Sequence, residues 1–313
     1  MRAVVFERTG GPEVLEYSEV PDPVPGEGEV LVEVEFAGIN FRDVYEREAR
    51  GAYARRPPAI LGVEGAGTIA GSGERVAWSG VRDSFAEFVA APRSALVNLP
   101  DAVPSDTAAA AMLQGMTAHF LANDSYPVEP GEHVLVHAAA GGVGLLLTQT
   151  ARLRGGRVIA TTSTQEKAQL AREAGAEHTI GYDGFARRVR ELTDGEGVAA
   201  VYDGVGRSTF DEGLEALRPT GRMILFGAAS GQPAPLELPR LAAHGSLYVQ
   251  RPTLGTYTRT PELMQERAAA LLALIAEQQL SVRIGATYAM AEARRAFEDL
   301  EARRSTGKLL LRP

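Results

Sequence analysis

The sharpest chemistry in the chain is carried by three glycines and the hydroxyl and amine groups that follow them. The run His137-Ala138-Ala139-Ala140-Gly141-Gly142-Val143-Gly144 follows a predicted strand and opens an apolar helix. Against the pattern G-x-G-x-x-G, Ala139 takes the first place, Gly141 the second and Gly144 the third. Gly141 lets backbone approach a pyrophosphate, and Gly144 lets helix and strand pack closely. The helix N-terminus, with Gly142 and Val143, supplies amide donors and positive potential. The strand-then-helix context makes this more than a chance match in spacing. The alternative is a glycine-rich turn that only packs.

The next strand selects the dinucleotide. An acid at its end, about 20 residues after the turn, accepts from the ribose 2′-hydroxyl of NAD. Here the stretch is Val158-Ile159-Ala160-Thr161-Thr162-Ser163-Thr164-Gln165-Glu166-Lys167, with Thr162 at the acid's place. Nothing at that strand end repels a 2′-phosphate. Ser163 can donate to it and Lys167 can supply charge, which favours NADPH. The plainer view of Lys167 is a solvated helix residue.

These residues need a scaffold, and the rest of the chain outlines one. Short apolar runs at 134–137, 158–161, 179–180, 200–202 and 223–226 alternate with helical stretches, the mark of a parallel sheet with covering helices. Gln165 to Ala174 reads as a helix closed by Gly175. Thr260 and Pro261 read as the N-cap and first position of a long helix, and Lys308 to Leu311 as a closing strand. The first third is β-like instead. Val30, Val32, Val34 and Phe36 alternate with Leu31, Glu33 and Glu35 as a half-buried strand would. Glycines at 62, 65, 67, 71 and 73 suggest tight turns. The fold class expected is α/β, a β-rich domain plus a doubly wound parallel sheet.

Composition narrows the function. The chain has 313 residues, 45% hydrophobic and 23% charged, which fits an ordinary globular protein of two domains. Its net charge of -8, with scattered Lys and Arg, leaves no footprint for nucleic acid. No run approaches the roughly 20 apolar residues of a membrane span, and Glu7 interrupts the N-terminus before any signal-length apolar run, so a cytoplasmic protein without a membrane partner is expected. There is no cysteine, which removes disulfides, thiolate nucleophiles and thiolate-held zinc together. His119, His133, His137, His178 and His244 show no metal-ligand spacing, and His137 reads as a packing residue. Asp203 reads as an organiser of its strand end.

Several stretches together resemble the medium-chain dehydrogenase/reductase superfamily, in its quinone oxidoreductase branch that includes zeta-crystallin. They are Ala37-Gly38-Ile39-Asn40-Phe41-Arg42-Asp43, Leu113-Gln114-Gly115-Met116-Thr117-Ala118, the glycine turn, Tyr202-Asp203-Gly204-Val205-Gly206 and Gly245-Ser246-Leu247-Tyr248-Val249-Gln250-Arg251-Pro252. The resemblance covers nearly the whole chain. It implies a GroES-like substrate domain from residues 1–120 and 260–313, with a Rossmann dinucleotide-binding domain over 121–259. It implies cofactor contacts from Asn40, Thr117, Val205, Phe226, Gly227 and Arg251, with Tyr182 covering the adenine ribose phosphate. Lys308 is a weaker candidate for the same cleft. Zinc-dependent members carry a Cys and a His where this chain has Asn40 and Val63, so a zinc-independent reaction is expected.

Without a metal Lewis acid, the substrate should delocalise incoming charge, as quinones and conjugated enones do. By resemblance Asn40 and Tyr45 approach the nicotinamide with Tyr53 close behind, and either phenol could donate to a developing oxyanion. Equally, Tyr45 and Tyr53 read as ordinary amphipathic residues. The activity implied is NADPH:quinone reduction. The runner-up is an enoyl or 2-alkenal reductase, because the Asn-Phe-Arg-Asp segment also resembles enoyl reductase domains of polyketide and fatty acid synthases. A non-enzymatic crystallin-like or RNA-binding role, and an NADPH sensor, are readings of other classes. A homodimer is implied by analogy, with an edge strand in the 223–249 region. The segment Thr68 to Arg75 is shorter than in typical relatives, which predicts a trimmed substrate-side rim.

Overall fold

The computed structural model describes residues 1–313, the side chain of Ala52 excepted. The chain divides into two compact units, Met1–Met116 with Thr258–Pro313, and Thr117–Tyr257.

The first unit begins with β1 (Arg2–Phe6), β2 (Leu15–Glu19), β3 (Glu29–Gly38), α1 (Phe41–Arg47), β4 (Ala59–Ile60), β5 (Glu64–Ile69), β6 (Arg75–Ser79), β7 (Phe88–Pro92) and β8 (Leu96–Asn98). Helix α2 (Ser105–Phe120) leads out of it. The second unit holds β9 (His133–Val136), α3 (Gly142–Leu153), β10 (Arg157–Thr161), α4 (Gln165–Glu173), β11 (His178–Ile180) and α5 (Phe185–Leu192). It continues with β12 (Val198–Asp203), α6 (Phe210–Ala216), β13 (Leu217–Leu225), α7 (Pro239–Ala243), β14 (Tyr248–Gln250) and α8 (Leu254–Tyr257). The chain then completes the first unit with α9 (Pro261–Ala276), β15 (Ile284–Ala289), α10 (Ala293–Glu301) and β16 (Lys308–Arg312).

In the first unit a sheet runs β15-β16-β3-β5-β6-β8, with β7 also on β3, beside a smaller sheet β2-β1-β4. Phe6, Trp78, Phe85 and Phe297 are fully buried in its core. Each such side chain contributes about 1.5–3 kcal/mol by leaving water, and the Trp78 indole N–H is satisfied by Ser84 Oγ at 2.8 Å. The alternation expected along 30–36 holds at Val32 and Val34 and then slips. A bulge between Val34 and Phe36 against β5 reverses the phase, so Ala37 is buried and Phe36 is not fully so. Two of the five glycines expected in turns lie inside β5. A Cβ on Gly65 would stand 2.6 Å from the Trp78 ring, and one on Gly67 would overlap the Glu33 carbonyl of β3. Those glycines exist for close packing. Gly71 (φ 84°) and Gly73 (φ 75°) do turn the chain, in a tight β5–β6 hairpin closed by Ile69 N–H to Glu74 O at 2.9 Å. That hairpin is the short 68–75 segment.

The second unit is a six-stranded sheet, β11-β10-β9-β12-β13-β14, parallel throughout. Counting strands within the sheet, this is the order 3-2-1-4-5-6 of a doubly wound dinucleotide-binding fold, which places the topological switch between β9 and β12. Leu135, Ile159, Val201, Leu214 and Met223 are buried under the helices. Strand β14 forms one sheet edge, with Tyr248 and Val249 exposed.

Candidate functional site

At the switch point, β9 ends at Val136 and the chain turns into α3. The turn is made by Ala138, whose φ of 50° is left-handed, and by Gly141 N–H donating to Ala138 O at 2.9 Å. The residue that bends the chain therefore precedes Ala139, where the glycine pattern put it. Gly141 is the N-cap of α3, and a Cβ there would meet only Ala138 O, at 3.2 Å. Gly144 has no such room, because its Cβ would lie 2.7 Å from Ala139 Cα and closer still to Ala138 O. By helix geometry the amides of Gly142, Val143 and Gly144 have no intrahelical acceptor, so they point out of the N-terminus as anion donors.

Neighbouring strand ends complete the cradle. His137 is fully buried, with Nδ1 2.8 Å from Thr161 Oγ1, which ties β9 to β10. Burial pushes its imidazole down to about 3, so it is neutral and packs, edge-on to Phe185 and parallel to Tyr182. The Tyr182 hydroxyl accepts from Ala138 N–H at 3.0 Å, which puts this residue on the phosphate turn itself. After β10, Thr162 is buried and Ser163 exposed. Thr164 caps α4 by accepting from Lys167 N–H at 3.2 Å. Ser163 and Lys167 thus flank the positive end of α4 with no carboxylate at the strand terminus.

Beyond β12, the Asp203 carboxylate accepts from Val205 N–H (2.7 Å), Gly206 N–H (2.9 Å) and Thr209 Oγ1 (2.8 Å). Burial raises its pKa and these hydrogen bonds oppose the shift. Its work is to fold the Gly204-Val205-Gly206 turn. Gly227 packs on Gly204 so closely that a Cβ would lie 2.5 Å from Gly204 O, and a Cβ on Gly204 would stand 2.9 Å from the Phe226 ring. Arg251 Nη1 donates to Leu225 O at 2.8 Å. Val205, Phe226, Gly227 and Arg251 are thereby gathered at the carboxyl ends of β12 and β13, where ligands of wound sheets bind. Thr117, nearly buried, sits in α2 at the start of the unit.

In the first unit, Tyr45 on α1 and Tyr53 just after it stack with centroids 6.1 Å apart, and the Arg42 guanidinium lies 5.3 Å over Tyr53. Two of the expected cofactor residues, Lys308 and Asn40, are buried and bonded to each other. Lys308 is 1% exposed, and its Nζ donates to Glu64 Oε2 at 2.5 Å and Asn40 Oδ1 at 2.8 Å. Asn40 is 4% exposed, and its amide donates to Glu64 Oε2 (2.8 Å) and Gly38 O (3.1 Å). With Oδ1 accepting from Lys308, both ends of its carboxamide have protein partners. Glu64 and Asp43 carry roles here that their local sequence did not announce. The available signal was a lone acid among Gly62-Val63-Glu64-Gly65, where a solvated carboxylate would be out of place.

A β-rich unit sharing a chain with a 3-2-1-4-5-6 parallel sheet, whose first turn is glycine-lined, defines a dinucleotide-binding oxidoreductase fold. Two family models match, "Alcohol dehydrogenase GroES-like domain" over residues 26–101 and "Zinc-binding dehydrogenase" over 142–273. A quinone oxidoreductase of Pseudomonas aeruginosa is 43% identical over 325 aligned positions, spanning 100% of this chain and 99% of that protein. A mycobacterial protein solved as a complex with NADPH is 46% identical, covers 100% of both chains and superposes with a TM-score of 0.96. A 2-haloacrylate reductase of a Burkholderia species is 34% identical, over 99% of this chain and 98% of its own. The chain belongs to the quinone oxidoreductase branch of the medium-chain dehydrogenase/reductase superfamily. One family description names zinc, but this chain contains no cysteine. Among the described residues, no cluster of three or more His, Asp or Glu side chains could hold a metal ion, and no helix is long and apolar enough to cross a membrane.

Proposed function

We propose that the protein is an NADPH-dependent reductase that delivers hydride to a quinone. The observation that carries this reading is the acid-free end of β10 running into α4, with Ser163 and Lys167 at the helix N-terminus. A 2′-phosphate there meets a hydroxyl, an ammonium and the helix dipole; Glu166 shares that first turn, but successive helix residues point in different directions. The open space at Gly141 and the first-turn amides of α3 fit a pyrophosphate, and the mycobacterial relative's NADPH complex supports the same cofactor.

When bound, NADPH supplies the hydride. The protein's own groups hold and orient: the α3 amides take the pyrophosphate, Ser163 and Lys167 the 2′-phosphate, and Tyr182 closes over the turn. Tyr45 and Tyr53 supply phenolic donors for the oxyanion that forms as a quinone is reduced, a preorganised contribution of the kind worth about 2.7–4 kcal/mol per donor.

A second reading is reduction of a conjugated C=C bond, and the 34% identical 2-haloacrylate reductase favours it. The reactions differ in where hydride lands, and the same phenols would serve an enolate. Steady-state turnover with NADPH against a panel of quinones, conjugated enones and 2-haloacrylates separates the two. The quinone reading expects saturable oxidation with quinones; rapid turnover of enones or haloacrylates with none on quinones would assign the second reading instead.

A further inference from the structure

The first unit buries a charged pair that no cofactor or substrate group explains. Glu64 on β5 and Lys308 on β16 are 244 residues apart in sequence and both are fully buried. Besides each other, the two charges bond Asn40 and the backbone of α2. Glu64 Oε1 accepts from Leu113 N–H of α2 at 2.5 Å, and Oε2 accepts from Lys308 Nζ and from Asn40 Nδ2. The ammonium's second partner is Asn40 Oδ1, which also lies 3.4 Å from Gln114 Nε2. Asn40 is the N-cap of α1, and its own N–H donates to Asp43 Oδ2 at 2.7 Å, closing the first turn.

The cluster has no slack. Gly38, at the end of β3, comes so close that an added Cβ would lie 2.5 Å from Ala109 O, 2.6 Å from Glu64 Oε2 and 2.7 Å from Lys308 Cε. Two strands, the end of a third, and α2 therefore converge on one carboxamide, which sets where α1 starts. Desolvating both charges offsets much of their attraction, and apolar residues of similar volume hold such a site equally well or better. Stability alone does not account for the pair; a fixed direction for Asn40 does.

We propose that Glu64 and Lys308 are positioning residues that act through the Asn40 carboxamide to fix α1, and with it Tyr45 and the neighbouring Tyr53, without touching substrate. For its effect on turnover this rests on the quinone-reductase reading.

The variant that isolates the idea is Glu64→Gln with Lys308→Met, which removes both charges yet leaves an amide to pair with Leu113 N–H and Asn40. Lys308→Met alone is the comparison, since it strands a buried carboxylate and is expected to fold poorly. The full-length protein is read for its thermal midpoint, its NADPH Kd, hydrogen exchange of the 41–47 amides, and kcat and KM with NADPH and a quinone. The expected result is a double variant with a midpoint near the parent's and an unchanged NADPH Kd. Its exchange over 41–47 should be at least 10-fold faster and its kcat at least 10-fold lower. Parent-like exchange and parent-like kcat in a stable double variant would overturn the proposal and leave the pair a packing feature. If the parent turns over no acceptor, the reductase reading fails. The exchange comparison then decides the positioning role alone: faster 41–47 amides in the double variant support it, and parent-like amides reject it.

Discussion

Gly144→Ala is expected to weaken NADPH binding about 100-fold, equivalent to about 2.7 kcal/mol, and to lower the thermal midpoint. The added Cβ meets backbone on the far side of the turn, with Ala139 Cα at 2.7 Å and carbon C of Ala139 at 2.9 Å. Backbone cannot swing away as a flexible side chain would, so α3 must back off β9, a strain of about 1–3 kcal/mol. That displacement moves the first-turn amides away from the pyrophosphate they are meant to meet. Gly141→Ala is the control, because its Cβ faces only Ala138 O at 3.2 Å and otherwise the space a ligand would occupy. It should lose affinity while keeping the parent's midpoint. Calorimetry and fluorescence titration on both variants check this, and a Gly144→Ala protein with parental stability and affinity would show that the turn is not under the contact described.

The second large effect is on pH dependence. Asp43 is completely buried, and desolvation pushes its carboxyl up to about 8, against the pull of the Asn40 N–H. Among the groups around it, the Glu46 carboxyl raises it further, while Lys308 and Arg42 lower it. One oxygen accepts from Asn40 N–H and the other, Oδ1, is buried without a hydrogen-bond partner. In the unfolded chain the group ionises near 3.8, and in the folded protein it holds its proton to about 8. The folded state therefore binds more protons across that window. The stability this contributes is full below the unfolded pKa and is lost as pH rises through the folded one, at up to about 1.4 kcal/mol per pH unit. Asp43→Asn keeps an oxygen for the Asn40 N–H and removes the titration. Its midpoint should exceed the parent's at pH 8 and converge on it near pH 4. Parallel profiles for parent and variant between pH 4 and 8 would contradict the burial argument.

Local patterns carried much of the architecture. The glycine turn was readable because its spacing encodes a single backbone event between a strand and a helix. The start of α9 was readable too, since Thr260 accepts from Leu263 N–H and Pro261 follows it, as capping chemistry requires. The missing acid after β10 was equally plain. What stayed hidden depends on neighbours far away in sequence. Gly65 and Gly67 looked like turn residues because nothing local reveals that Trp78 and β3 press against β5. The bulge that turns Phe36 away from the core arises from pairing with β5, whose register a single strand does not encode. Lys308 looked like a weak candidate for the cofactor cleft at the start of a closing strand. Only the sheet order, with β16 and β5 on either side of β3, makes it the partner of Glu64.

Selection of the 2′-phosphate rests on the acid-free end of β10 and the residues that open α4. Fluorescence titration of the purified protein with NADPH and with NADH, repeated on Lys167→Ala, tests it most directly. NADPH should bind at least 10-fold more tightly than NADH, and Lys167→Ala should lose most of that preference while still binding NADH as before. Equal affinity for the two dinucleotides, or a preference that survives the substitution intact, would contradict it.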